Sequence, residues 1–319
     1  MTSIDRPAFE ADVAGALGPD RLVRNAPIAR MTTFRVGGPA DWFVELRTVE
    51  EVRATLACAH RHGVPVTVLG GGSNVLVADA GVRGLVVRLV LAGIRQPVSD
   101  EVQADAGVTI NGMVRWMIGR GLAALEAWAG TPGTVGGAIY GNAHWSGQNI
   151  GDVVRRVLLA TPDGTLIEVP ASAMGFAYDT SRLQTTREVV VHADFAVAPG
   201  EVDALRARAR ASLAYRKRTQ PLALPSAGCM FQNPDPARDR VPAGIPPSAG
   251  ALIDRAGLKG RRIGGACISP VHANFIVNDA QAKASDIRAL VERARTAVEK
   301  TFGVALRDEV VYLGTFEHG

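Results

Sequence analysis

Apolar residues recur at helical spacing after Thr48: Val49, Val52, Leu56 and Ala59 share one face of a helix that should stop at Gly63. Thr48-Val49-Glu50-Glu51 reads as a capping box, with Thr48 as N-cap and Glu51 reaching back to it. Residues 64–69 then form a short apolar run, the pattern of a buried strand, which empties into Gly70-Gly71-Gly72-Ser73-Asn74. Residues 84–89 predict a further strand, and 108–120 a helix closed by Gly121. That helix leads into a second glycine-rich turn, Pro132-Gly133-Thr134-Val135-Gly136-Gly137.

From 153 to 197 the pattern shortens to strands at 157–159, 166–169 and 189–196, with Pro162-Asp163-Gly164 as a turn. Pro199-Gly200 punctuates, and 201–218 predicts a helix with Val202 and Leu205 facing inward. The rest reads as α+β: a Pro-rich loop at 234–247, a short helix at 249–256 and strands at 265–268 and 275–278. A long helix from about 285 to 302 and a last strand at 309–313 complete it. A boundary near Pro199 follows from this change of pattern.

Composition narrows the class. With 319 residues the chain exceeds one ordinary core, so two or three domains are expected. A hydrophobic fraction of 47% and a charged fraction of 21% are those of a globular protein. The formal charge of +4 favours an anionic substrate but is too small to argue nucleic acid. Aromatic residues, at 5%, supply no stacking platform for single strands. Cys58, Cys229 and Cys267 are odd in number and lack CxxC spacing, which argues against both a disulfide framework and a metal site. No signal-peptide pattern opens the sequence and no run of eighteen apolar residues occurs, so a cytoplasmic protein is expected.

The glycine loops are the first candidate chemistry. Without Cβ atoms, backbone N–H groups can crowd around a diphosphate. The 70–74 loop is neither a Rossmann fingerprint nor a P-loop, and by itself a turn between core strands explains it as well. The second loop and Thr33-Phe34-Arg35-Val36-Gly37-Gly38 tilt the reading toward a large cofactor gripped from two sides. Small residues before Cys229 in Pro225-Ser226-Ala227-Gly228-Cys229-Met230-Phe231 leave its sulfur approachable, against the alternative of a buried inert thiol. His272 reads as a strand-entry anchor, Glu309 as a strand-end charge, and Arg216-Lys217-Arg218 as a solvated helix end.

Taken together and in this order, the motifs resemble the UDP-N-acetylenolpyruvoylglucosamine reductase family, the flavoenzymes that complete UDP-N-acetylmuramate for peptidoglycan. The matching stretches are 32–40, 68–77, 129–138, 225–234, 272–278 and 306–314. The resemblance implies an α+β protein with a vanillyl-alcohol-oxidase-type FAD-binding region of two subdomains, 1–85 and 86–199, and a substrate-binding domain over 200–319. It implies the shorter subtype, without a tyrosine-bearing insertion. Non-covalent FAD would sit with its diphosphate at Gly70, Gly71, Gly72, Ser73 and Asn74, with contacts from Pro132, Gly133, Gly136 and Gly137. NADPH would be co-substrate, and UDP-N-acetylglucosamine enolpyruvate would take a hydride from the flavin and a proton from an acid. That acid is a serine in the family pattern, and the position is Cys229 here. Glu309 is the implied second catalytic carboxyl, while Lys217, Asn233 and Tyr178 are implied substrate contacts.

One departure stands out. The family pattern Tyr-Arg-x-Ser reads Tyr178-Asp179-Thr180-Ser181 here, and an aspartate repels the substrate carboxylate that the arginine would bind. Arg182 is expected to reach the site in its place. Two other readings stay open: a flavin-dependent alcohol or hydroxy-acid oxidase of the same fold, and a non-catalytic nucleotide-sugar-binding regulator.

Overall fold

The computed structural model describes residues 4–316, which form two compact units, each with its own apolar core. The first comprises the chain up to Ala26, Ala40–Gly71 and Arg83–Ala214; the second comprises Pro27–Pro39, Gly72–Val82 and the chain from Tyr215 on. Two stretches placed by sequence in the first FAD subdomain, 27–39 and 72–82, thus belong with the C-terminal unit. The division near the expected boundary falls between Ala214 and Tyr215, inside the helix Val202–Thr219. No helix among the described residues is long and apolar enough to cross a membrane.

In the first unit, one sheet orders its strands Val23–Pro27, Pro39–Leu46, Val82–Leu89, Val66–Val68. The last two run parallel, with Val66 opposite Leu85. The predicted helix runs Val49–Arg61, and Thr48 accepts the Glu51 N–H at 3.1 Å. Only half of the expected box forms. The Glu51 carboxylate accepts instead from the Arg47 N–H at 2.6 Å, one residue before the cap, and from the Arg21 guanidinium at 3.1 Å.

The second sheet of this unit is antiparallel, in the order Leu166–Pro170, Val154–Ala160, Val189–Ala196, Glu101–Asp105, Ile94–Val98. Its first three strands are those the sequence predicts. The other two carry a misleading alphabet. Ile94–Val98 is an exposed edge containing Pro97, a residue tolerated there because no partner needs its missing N–H. Glu101–Asp105 is buried yet polar; Gln103 donates from Nε2 to Asp194 Oδ1 at 2.6 Å, while its Oε1 is buried and meets no partner among the described residues.

The second unit packs the helices Ala249–Arg255 and Ala284–Phe302 with the sheet Arg262–Ile263, Ala266–Ile268, Ile276–Asn278. Ile287, Leu290, Val291, Ala294 and Val298 form the buried stripe of the longer helix. Val75–Val77 pairs in parallel with Val311–Leu313 in the same unit, Val75 opposite Val311. This pairing brings the end of the glycine loop beside the residues that follow Glu309.

Candidate active site

The strand Val66–Val68 ends at a loop whose glycines are required by space. A Cβ on Gly70 would lie 2.7 Å from Thr134 Oγ1, and one on Gly71 would lie 2.8 Å from Gly133 Cα. Gly72, at φ +62°, would place a Cβ 2.2 Å from the Met31 carbonyl oxygen. None of the backbone N–H groups of Gly70, Gly71, Gly72, Ser73 and Asn74 meets an acceptor among the described residues. A run of unspent donors with no side chain in the way is what a diphosphate requires, so these residues fit the FAD that the resemblance implies.

The second glycine segment is built differently from the turn expected. Pro132 and Gly133 turn, but Thr134 caps the short helix Val135–Tyr140, accepting the Gly137 N–H at 3.4 Å. The N–H groups of Val135 and Gly136 go to Val108 and Ala106 carbonyls at 2.8 and 2.9 Å. With the Val135, Gly136 and Gly137 donors committed, this segment forms the wall against which Gly70 and Gly71 close.

Within the second unit, Cys229 and Glu309 come together. The segment following Gly228, which sits at φ +81°, forms bridges on both sides: Cys229 opposite Phe275 and Phe231 opposite Asp308. Met230 donates its N–H to the Asn274 carbonyl at 2.8 Å, and its own carbonyl accepts the Glu309 N–H at 2.9 Å. Glu309 is held from a third direction, since Asn74 Nδ2 donates to its carbonyl at 3.0 Å. Cys229 is partly exposed, whereas Cys58 and Cys267 are buried, and burial pushes both of those thiols up.

Arg216 is the functional candidate that sequence reasoning missed. It belongs to a basic run at a helix end, yet it is only 6% exposed. Burial lowers its pKa, and the charge of a Cys229 thiolate acts in the opposite direction, which places the guanidinium within electrostatic reach of that sulfur. Its signal was spacing: Leu205, Ala209, Ser212 and Arg216 follow one line along the helix.

The remaining predicted residues are distributed as follows. Lys217 is exposed in the last turn of Val202–Thr219. Asn233 is exposed and accepts the Ala249 N–H at 3.2 Å, so it caps a helix start. Tyr178 is 45% exposed, with its ring 5.1 Å from that of His144. Arg182 does not offer the cation expected of it: its guanidinium holds Glu188 through two bonds of 2.9 and 3.0 Å, so its charge is already answered. His272 is a local anchor, accepting the Asn274 N–H at Nδ1, 3.3 Å away, and burial pushes its imidazole down. Where cysteine spacing gave no metal site, Asp12, Cys58 and His62 nevertheless converge, their ligand atoms lying within 4.8 Å of one another. The Asp12 carboxylate there is bound by His62 at 2.9 Å and Arg61 at 3.4 Å, an ordinary ion pair.

Comparison with known proteins bears on this arrangement. A family profile described as the UDP-N-acetylenolpyruvoylglucosamine reductase C-terminal domain matches residues 220–313, and an FAD binding domain profile matches residues 40–170. A UDP-N-acetylenolpyruvoylglucosamine reductase of Anaeromyxobacter dehalogenans is 43% identical over 295 residues, covering 92% of this chain and 86% of the relative. Another, from Symbiobacterium thermophilum, is 40% identical over 297 residues and 93% of each chain. The crystal structure of UDP-N-acetylenolpyruvylglucosamine reductase from Thermus caldophilus matches with a TM-score of 0.78 at 32% identity, over 92% of this chain and 99% of that one. Phl p 4.0202, a glucose dehydrogenase, shares the fold alone, with a TM-score of 0.50 and 16% identity over 61% of this chain. With relatives so similar along nearly its whole length, the chain belongs to the UDP-N-acetylenolpyruvoylglucosamine reductase family.

Proposed function

We propose that this protein is an FAD-dependent, NADPH-consuming reductase that converts UDP-N-acetylglucosamine enolpyruvate into UDP-N-acetylmuramate for peptidoglycan synthesis. The observation that carries the reading is the backbone register that sets Cys229 beside Glu309 across Met230. The N–H groups of residues 70–74 would hold FAD, which when bound would supply hydride chemistry between NADPH and the vinyl carbon.

What the chain itself must do is manage protons and charge. Hydride addition to an enolpyruvyl ether leaves carbanion character beside the carboxylate, and a proton must arrive there from a placed acid. Cys229 is that acid: its S–H bond breaks, a C–H bond forms on the substrate, and the sulfur keeps the electron pair as thiolate. A thiol, with a reference pKa of about 8.5, yields its proton more readily than an alcohol. The buried Arg216 stands within reach of the negative sulfur that results, which lowers the cost of the transfer. Glu309, from the neighbouring segment, polarises the enolpyruvyl group. Lys217 supplies a cation for the UDP diphosphate, and Asn233 and Tyr178 contribute neutral polar contacts.

Stopped-flow spectroscopy of the two half-reactions tests the assignment. In Cys229→Ala, NADPH should bleach the flavin at the wild-type rate, while reoxidation by the enolpyruvyl substrate should slow by about 10²–10⁴-fold, the range for a lost general acid. Cys229→Ser should keep much of the activity. Reoxidation of Cys229→Ala at the wild-type rate would remove the thiol from the mechanism.

A further inference from the structure

We propose that Asp12, Cys58 and His62 form a binding site for a divalent cation of the zinc class, at the seam between the helices Arg6–Leu17 and Val49–Arg61. All three residues belong to the first unit, and none takes part in the chemistry assigned to Cys229 and Glu309. The proposal therefore stands or falls separately from the reductase reading.

Cys58 and His62 stand on consecutive turns, the His62 N–H donating to the Cys58 carbonyl at 3.2 Å, so their side chains leave the same face of the helix. Asp12 meets them from the other helix, which is anchored in the first core by Phe9 and Val13. The Phe9 ring packs edge-on against His62, with centroids 5.8 Å apart. One sulfur, one imidazole nitrogen and one carboxylate oxygen thus lie within 4.8 Å of one another. Around tetrahedral zinc, with bonds of about 2.0 Å to nitrogen or oxygen and about 2.3 Å to sulfur, such donors sit about 3.3–3.6 Å apart. Asp12 Oδ2 and His62 Nε2 are already at 2.9 Å. The sulfur has at most roughly 1.3 Å to close, an adjustment of side chains and not of helices.

The contacts Asp12 already makes are no bar. Its partner Arg61 has a side chain 60% exposed, and releasing that surface pair to water costs little. On binding, the Cys58 S–H bond breaks, its proton passes to water, and the sulfur keeps the electron pair that it gives to the metal. His62 offers the Nε2 lone pair with its ring proton on Nδ1. A thiolate and a carboxylate then balance the two positive charges at the rim of an apolar core. Sulfur and imidazole select a zinc-class ion against magnesium or calcium, which take oxygen donors. Side-chain exposures of 48% at Asp12 and 19% at His62 leave a way in from solvent, with the buried Cys58 as floor. Three protein ligands leave the fourth position to water, and the ion would tie the two helices together.

The test is equilibrium dialysis of the full-length, FAD-loaded protein against zinc, with a phosphine reductant and excess magnesium present. Wild type should retain one tight equivalent, and X-ray absorption of that metal should show one sulfur at about 2.3 Å with nitrogen or oxygen at about 2.0 Å. Cys58→Ala and His62→Gln should each weaken binding by more than about a hundredfold, since losing even the support of a ligand costs 10–100-fold. Cys229→Ser should bind zinc as wild type does, and zinc should raise the Tm of wild type but not of the two ligand variants. Absence of the tight equivalent in wild type overturns the proposal, as does a bound zinc without sulfur. Loss of binding in Cys229→Ser with retention in Cys58→Ala overturns it too. Should Cys58→Ala fail to fold, His62→Gln, altered at a helix end, and the wild-type absorption spectrum decide.

Discussion

Asn274 shows how much of the site depends on one uncharged side chain. It is 3% exposed and grips Phe231 at both ends, accepting its N–H at 3.0 Å and donating to its carbonyl at 2.7 Å. Truncation would orphan two buried backbone groups, each costing about 1–3 kcal/mol. Asn274→Ala should therefore lower the unfolding free energy by about 2–4 kcal/mol in urea titrations and slow flavin reoxidation, because Cys229 lies two residues from the gripped backbone. At this scale the sequence was legible where function is local. The 272–278 segment read as a polar strand entry, and it is one. Arg216 was opaque because burial, unlike helix-end charge preference, depends on what packs around the helix. Asp179 was legible only as a departure: its partner His144 lies thirty-five residues away, a distance no local pattern spans.

Elements were readable where their ends carry chemistry. Thr48, Thr109 and Ser248 each accept an N–H inside the helix they open, as N-caps should. The helix Ala284–Phe302 is less orthodox. Its first N–H groups, at Ala284 and Ser285, donate to the carboxylate of Asp79, at 2.8 and 3.0 Å, more than two hundred residues earlier in the chain. Burial alone would push Asp79 up, but these N–H groups outweigh it and hold the carboxyl below its usual range. A carboxyl lower in the folded than in the unfolded chain adds stability above its unfolded value near 4, and that stability is lost as pH falls toward the folded value. Asp79→Ala should cost about 1 kcal/mol or less, since the carboxylate is solvent-screened. Urea titrations should show the gap between variant and wild type at pH 7 and its shrinkage by pH 3. A gap unchanged between the two pH values would deny the carboxylate its part. The edge strand Ile94–Val98 escaped notice because exposure and Pro97 erased the alternation on which strand reading depends.

At the scale of the whole molecule, interleaving defeats a linear reading. The loop that begins Gly70-Gly71 in one unit continues as Gly72-Ser73-Asn74 in the other, so no cut in the sequence separates them. Composition foretold more than one core but not that 27–39 and 72–82 would join the last hundred residues. The three thiols divide by environment: Cys58 in the first core, Cys267 in the second unit's sheet, and Cys229 partly open. An aromatic disulfide reagent should consequently titrate one sulfur in the native protein and all three after denaturation. A hydroxyl at position 229 would ignore peroxide. Sulfur does not: its thiolate is converted to sulfenic acid with release of hydroxide, and the S–H hydrogen that the proposed mechanism gives to the substrate is gone. Peroxide should therefore silence turnover in wild type, dithiothreitol should restore it, and Cys229→Ser should be indifferent to both, making cell-wall precursor supply answerable to the oxidant load around this one atom.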